Sequence, residues 1–288
     1  MKKALLWGLV FTFVMAIPQF ISTAGADDVW KDWNLVKDGA LDTSKWYFND
    51  RKMDDVSIVT MSIDGERVKF EHRPNTDGNS VWLQLIKKPE CVKGIQAEIT
   101  MGTDLNGHFR GRIGNVAGAY GPLKDYAWNQ VSVRNRLSEN DGDRVYGAVG
   151  LEDPLNDWEY LKDLIYSGFN NPEEVDGNTY ICTMILDREK GKIKYTIEGF
   201  GTVTYKMPDE IEPGWETFWG IGSRSNDASG SGTVWFSNVK VLLDTECGDD
   251  TRPVVKKTVP EHKEVNVDPA VDTFKIKFDE SMLSLIHI

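Results

Sequence analysis

From Val56 to Leu243 apolar and polar residues alternate with a period of two, in runs broken by Gly, Pro, Asn and Asp. Val56–Ile63 and Arg67–His72 flank Asp64-Gly65, a pair that favours a type I′ hairpin turn. Strands are then expected at Ser80–Ile86, Val92–Met101, Gly107–Gly114, Trp128–Leu137 and Arg144–Leu151. Beyond a polar stretch the alternation resumes at Thr179–Leu186, Lys192–Ile197, Thr202–Met207, Thr217–Arg224 and Thr233–Leu243. One segment departs from the pattern. In Leu155–Tyr166 the apolar residues recur at three and four, which predicts a short helix. About twelve short strands with one helical insertion predict an all-β chain folded as a two-sheet antiparallel sandwich of the jelly-roll kind.

The first 26 residues stand outside this pattern. Lys2 and Lys3 precede the apolar run Ala4–Ile17, and Ala24-Gly25-Ala26 supplies small residues for cleavage. This is the layout of a secretory signal peptide, so an exported chain starting near Asp27 is expected, at the cell surface or outside the cell, with no membrane span in the mature chain. Losing two lysines and no acid takes the formal charge from −12 to −14. Such a chain is poorly suited to nucleic acid or an anionic membrane. Aromatic residues make up 11% and hydrophobic residues 40%, enough to build a core.

The three cysteines are Cys91, Cys182 and Cys247, and export would leave one pair and one free thiol. No CxxC pattern occurs. His72, His108, His262 and His287 are scattered, which argues against zinc. Near Cys247 the character changes. Residues 248–252 read as a linker, 253–282 as two strand-like stretches around a Pro/Asp turn region, and 283–288 (LSLIHI) as a non-native tail.

Two resemblances add to this reading. LDTSKW (Leu41–Trp46), VKGIQAEITM (Val92–Met101) and GTVWFSNVKVLL (Gly232–Leu243) resemble the opening, middle and closing strands of concanavalin A-like jelly rolls of the laminin-G/glucanase type. That resemblance implies a domain over 27–247. The spacing of Pro253, Val254, Val255, Pro260, Val265, Val267, Ile276, Phe278, Glu280 and Met282 resembles the start of a bacterial Ig-like domain of surface proteins. About 100 residues make such a domain. The stretch here is far shorter, so a truncated domain of a longer protein is expected. If Val92–Met101 and Thr233–Leu243 pair antiparallel, as the first resemblance implies, Cys91 meets Cys247 and Cys182 stays free.

Concanavalin A-like folds host lectins, carbohydrate-binding modules, hydrolases and lyases, so the fold does not choose among them. The glucanase branch carries E-x-D-x-x-E on one strand, a pair of acids for retaining hydrolysis. Here Glu98-Ile99-Thr100-Met101 is followed only by Asp104, and no dyad forms. Catalytic residues are therefore not assigned. No cofactor is assigned either: Asp141-Gly142-Asp143 resembles a piece of a calcium loop, without further oxygen ligands at fixed spacing.

Parity along three consecutive strands points elsewhere. Phe109, Gly111 and Ile113 share one face, and His108, Arg110 and Arg112 the other. Val131 and Val133 oppose Trp128, Gln130, Ser132 and Arg134. Val145 and Val149 oppose Arg144 and Tyr146. His108, Arg110, Arg112, Trp128, Gln130, Arg134 and Tyr146 are therefore the candidate ligand-binding set. Two readings of this face stay open. Cross-strand acids could pair with the arginines on a solvated face. Alternatively the face is a concave groove for an anionic glycan, with guanidinium groups holding carboxylates or sulfates and aromatic rings stacking on sugars. The function expected is a non-catalytic surface module that binds glycan. The alternatives are a structural or adhesive module, and a polysaccharide-active enzyme, a lyase rather than a hydrolase. Trp215, Trp219 and Trp235 are expected in the core.

Overall fold

The computed structural model describes residues 29–49, 59–74, 80–116, 126–135, 143–153, 159–166, 169–170, 172, 174–209, 211, 215–225, 230–244, 247, 255–259 and 275–278. The expected signal peptide, linker and tail, Asp141-Gly142 and most of the loop after Val116 lie outside them. In chain order the strands are β1 (Val29–Asp32), β2 (Val36–Lys37), β3 (Ala40–Leu41), β4 (Trp46–Asn49), β5 (Val59–Asp64), β6 (Arg67–His72), β7 (Ser80–Leu85), β8 (Val92–Met101), β9 (Phe109–Val116) and β10 (Tyr126–Arg134). They continue with β11 (Arg144–Asp153), β12 (Glu159–Tyr166), β13 (Thr179–Asp187), β14 (Lys192–Ile197), β15 (Gly201–Lys206), β16 (Phe218–Ser225), β17 (Gly232–Leu243), β18 (Val255–Val259) and β19 (Lys275–Phe278).

Two antiparallel sheets face each other. One has the order β15-β14-β13-β8-β17-β6-β5, with β1 on the C-terminal half of β17. The other has the order β12-β11-β10-β9-β16-β7-β4. Alternation decides which side chains fill the space between them. Val68, Phe70, Ile95, Ile99, Val234 and Phe236 come from the first sheet, and Leu83, Ile113, Val131, Val149, Trp219 and Ile221 from the second; all lie within 1% of complete burial. β18 and β19 pair separately as a two-stranded antiparallel ribbon, which is not by itself an Ig-like domain.

Several expectations are corrected. Glu159–Tyr166 is an edge strand paired with β11, not a helix. Its apolar spacing fits either period over so short a run, and β11 offers a free row of backbone donors and acceptors that only a strand can meet. The β5–β6 turn holds Gly65-Glu66 between the paired Asp64 and Arg67. Positive φ occurs at Gly65 (64°) but not at Glu66, so the turn has type II′ character rather than I′. Trp215 and Trp219 are buried as expected. Trp235 instead sits half-buried on the outer face of the larger sheet, its Nε1 donating to Asp64 Oδ2 at 2.9 Å with the Arg67 guanidinium 5.4 Å from the ring.

Covalent and polar ties join the layers. Cys91 and Cys247 form a disulfide with Cα atoms 5.7 Å apart, and Cys182 is a buried free thiol. Burial alone pushes that thiol far above its ordinary range. Arg188, just past β13, donates to the carbonyls of Pro89 and Val92, each at 2.8 Å, and pairs with Glu216 at 2.9 Å. The disulfide-bearing turn is thereby tied to the entry of β16. Tyr195 on β14 crosses the interior, its hydroxyl donating to Asn129 Oδ1 at 2.5 Å. A Cβ on Gly147 would fall 2.3 Å from the Tyr195 ring, so glycine is what lets the ring pass.

Candidate arginine-rich functional site

The seven candidate residues lie on the side of the smaller sheet that faces away from the core. Arg110 and Arg112 are on β9, Trp128, Gln130 and Arg134 on β10, and Tyr146 on β11; His108 immediately precedes β9. Register explains the gathering. Arg134 is opposite Arg110 on one side and Arg144 on the other, and Arg110 is opposite Arg224 of β16. Four arginines therefore form one row across four adjacent strands, which are spaced about 4.8 Å apart. Ser132 lies between Arg112 and Tyr146 in the next row. Arg144 and Arg224 complete the row and were not in the sequence-derived set. Arg144 shares the parity of Tyr146 and was legible; Arg224 required the pairing of β9 with β16, which is non-consecutive.

Hydrogen bonds order these side chains. Arg110 Nη1 donates to the Tyr146 hydroxyl at 2.5 Å, and Arg112 Nη1 donates to Gln130 Oε1 at 3.2 Å. Arg112 also reaches Ser80 Oγ on β7, and its guanidinium lies 4.2 Å from the Trp82 ring centroid. Arg134 stands 3.3 Å from His108 Nε2 and 5.8 Å from the Tyr146 ring. Trp82, Val116, Trp128, Tyr146, Ala148 and Phe218 form a second apolar cluster on this same side. Trp128 lies across Gly150 of β11, where a Cβ would fall 2.3 Å from its ring.

Burial bears on both readings, the solvated face and the open groove. Arg110 (7%), Arg112 (4%), Arg134 (6%), Gln130 (2%) and Tyr146 (4%) are all nearly inaccessible. This is a recessed polar layer rather than an open sheet surface. The electrostatics follow. Burial pushes the Tyr146 hydroxyl up, but the Arg110 charge, its hydrogen bond and the Arg134 charge outweigh burial, and the net shift is downward. The guanidinium charges around it thus favour the phenolate form of Tyr146 over the phenol.

Asp143, the one described residue of Asp141-Gly142-Asp143, is buried, and its Oδ2 accepts the Val175 backbone N–H at 2.6 Å. Among the described residues no three His, Cys, Asp or Glu groups are placed to hold a metal ion. Among them, too, no helix is long and apolar enough to cross a membrane.

No protein-family model matches the chain, and no curated protein matches it. Solved structures do. A Bacteroides ovatus glycoside hydrolase family 16 protein of mixed-linkage glucan use, solved with an oligosaccharide product, is 12% identical over 74% of this chain and 99% of its own, with a TM-score of 0.50. An endo-acting O-glycanase from the human gut microbiota is 14% identical over 70% of this chain and 93% of its own, with a TM-score of 0.46. The carbohydrate recognition domain of Emp46p is 12% identical over 70% and 88%, with a TM-score of 0.43. At these identities the likeness shows the fold alone. The chain carries a concanavalin A-like jelly roll.

Proposed function

We propose that the chain is an extracellular glycan-binding module whose arginine layer takes an anionic sugar. The observation that carries this reading is the in-register row Arg144, Arg134, Arg110 and Arg224 beside Trp82, Trp128 and Tyr146. A guanidinium keeps its charge on burial, so a row of them is a strongly positive patch that favours anionic oxygens. Carboxylates and sulfates meet a guanidinium through two parallel hydrogen bonds. Trp128 and Tyr146, rings of the kind on which a sugar stacks, border the row. Sharing a fold with a protein solved with an oligosaccharide product supports carbohydrate as the ligand class.

The test is a glycan array comparing neutral, uronate and sulfated chains, followed by titration of Arg110→Ala and Arg134→Ala. Each substitution is expected to weaken binding of the acidic chain by about 1–3 kcal/mol while the fold survives. Salt should weaken it as well. No binding to any acidic glycan, with the variants merely less heat-stable, makes the arginines structural and the chain an adhesive or structural module.

A second reading rests on Tyr146. The hydroxyl of Tyr146 accepts from Arg110 and is drawn below its ordinary range, beside guanidiniums that would neutralise a uronate carboxylate, which supports its acting as a base on the proton next to that carboxylate. Loss of that proton, breakage of the linkage's C–O bond at the neighbouring ring carbon and protonation of the departing oxygen make up an elimination, which leaves an unsaturated uronate on one fragment and a hydroxyl on the other. Ultraviolet absorbance from the new double bond on incubation with a polyuronate, absent in Tyr146→Phe, establishes lyase activity; no absorbance removes it.

A further inference from the structure

The outer face of the larger sheet carries a second, chemically opposite feature. Between β1, β17, β8 and β13 lies a cleft of about 390 Å³. Its floor is Gln96, Glu98 and Ile181, and its wall includes Asp32, Asn238 and Lys240. The register builds it. Asp32 is opposite Lys240, and Lys240 is opposite Gln96, so one polar row runs from the edge strand inward. Ser237 is opposite Glu98, so Asn238 and Val239 together oppose Ala97 alone. Asn238 in this bulge has φ 48°, and both bulge residues line the cleft.

We infer that this cleft binds a neutral oligosaccharide, at a site separate from the arginine layer and independent of the function proposed for it. Three observations carry the assignment. First, the lining offers acceptors in Asp32 and Glu98, a donor in Lys240 and groups that do both in Asn34, Gln96 and Asn238, the complement of a sugar whose every hydroxyl donates and accepts. Glu98 holds one bond from Ser237 Oγ at 3.0 Å and Gln96 donates to Thr183 Oγ1 at 2.8 Å, so both side chains are oriented while keeping acceptor capacity. Second, Asp32 and Glu98 outnumber Lys240, which repels a polyanion and separates this site from the opposite sheet. Third, an aromatic platform adjoins the row. Trp30 precedes Asp32 by two residues on the same side of β1, and its indole lies over Gly94, where a Cβ would meet it at 3.2 Å. Trp30 is half-buried, and by register it stands in the row next to that of Asp32, Lys240 and Gln96.

The experiment is calorimetric titration of the full chain with cellohexaose and with laminarihexaose. Binding of at least one is expected. Trp30→Ala and Gln96→Ala should each weaken it about tenfold, as loss of a stacking face or an oriented hydrogen bond does, while Thr202→Ala, on the same face at the far edge, should leave it unchanged. Glu98→Gln keeps shape and should lower affinity without altering the melting temperature, which covers the case in which Trp30→Ala loosens β1. Failure of both hexaoses to bind, or binding that Gln96→Ala and Glu98→Gln leave unchanged, overturns the inference. Neutral probes are used because the arginine layer calls for acidic ones, so the two sites fail separately.

Discussion

His72 on β6 and Ser223 on β16 meet across the interior, with His72 Nε2 2.6 Å from Ser223 Oγ, and so bond one sheet to the other. Both are buried, and the imidazole packs edge-on against Phe109. Desolvation first, and then the Arg112 charge, hold its pKa at about 3 instead of 6.5. The folded chain therefore keeps the ring neutral where the unfolded chain would protonate it. This contribution is fully present above pH 6.5 and is lost as the pH falls toward 3, by up to about 1.4 kcal/mol per pH unit in that window. Urea unfolding of His72→Gln from pH 7 to pH 4 should show a flatter pH dependence than the parent. Equal slopes would mean that His72 does not set the acid sensitivity.

Tyr146 should titrate lower in the parent than after Arg110→Met, which removes both the charge and the hydrogen bond at 2.5 Å. The phenolate absorbance of the parent minus that of Tyr146→Phe isolates this one group. If Arg110→Met leaves the titration where it was, the arginine layer does not act on the hydroxyl.

The Cys91–Cys247 bridge closes a span of 156 residues. Its removal in the Cys91→Ala/Cys247→Ala pair should cost about 2–5 kcal/mol of stability in denaturant unfolding. Cys182, buried and with its thiol pushed up by desolvation, should resist alkylation in the folded chain and react at once in denaturant. Rapid alkylation without denaturant would contradict its placement.

Gly150→Ala should disturb one ring. The added Cβ would fall 2.3 Å from Trp128, which must shift. A loss of about 1–3 kcal/mol, with a changed tryptophan emission that Trp128→Phe abolishes, is expected. An unchanged melting temperature would show that the ring is not seated there.

Local sequence determined a good deal. The alternation along Val92–Met101 and Thr233–Leu243 required pleated strands with one apolar face, and these are β8 and β17 almost to the residue. The pairing of those strands, implied by the resemblance, brought Cys91 to Cys247. Parity also put Arg110, Arg134 and Tyr146 on one side of three neighbouring strands, because a pleat leaves no other choice. It did not reveal Val29–Asp32 or Trp46–Asn49, four-residue strands whose runs are too short to show a period.

What only the tertiary structure decided is what is non-local. Glu159–Tyr166 became a strand because the edge of β11 had backbone groups to satisfy. Arg224 joined the arginine row because β16 pairs with β9 across more than a hundred residues of chain. The cleft over Gln96 and Glu98 is walled by Asp32 of β1 and by Asn238 and Lys240 of β17, and so depends on β1 docking on a strand that bulges at Asn238. Burial, too, belongs to this level. Alternation says that Arg110 and Arg134 share a side, but it cannot say how far that side is buried, since that depends on everything packed around it.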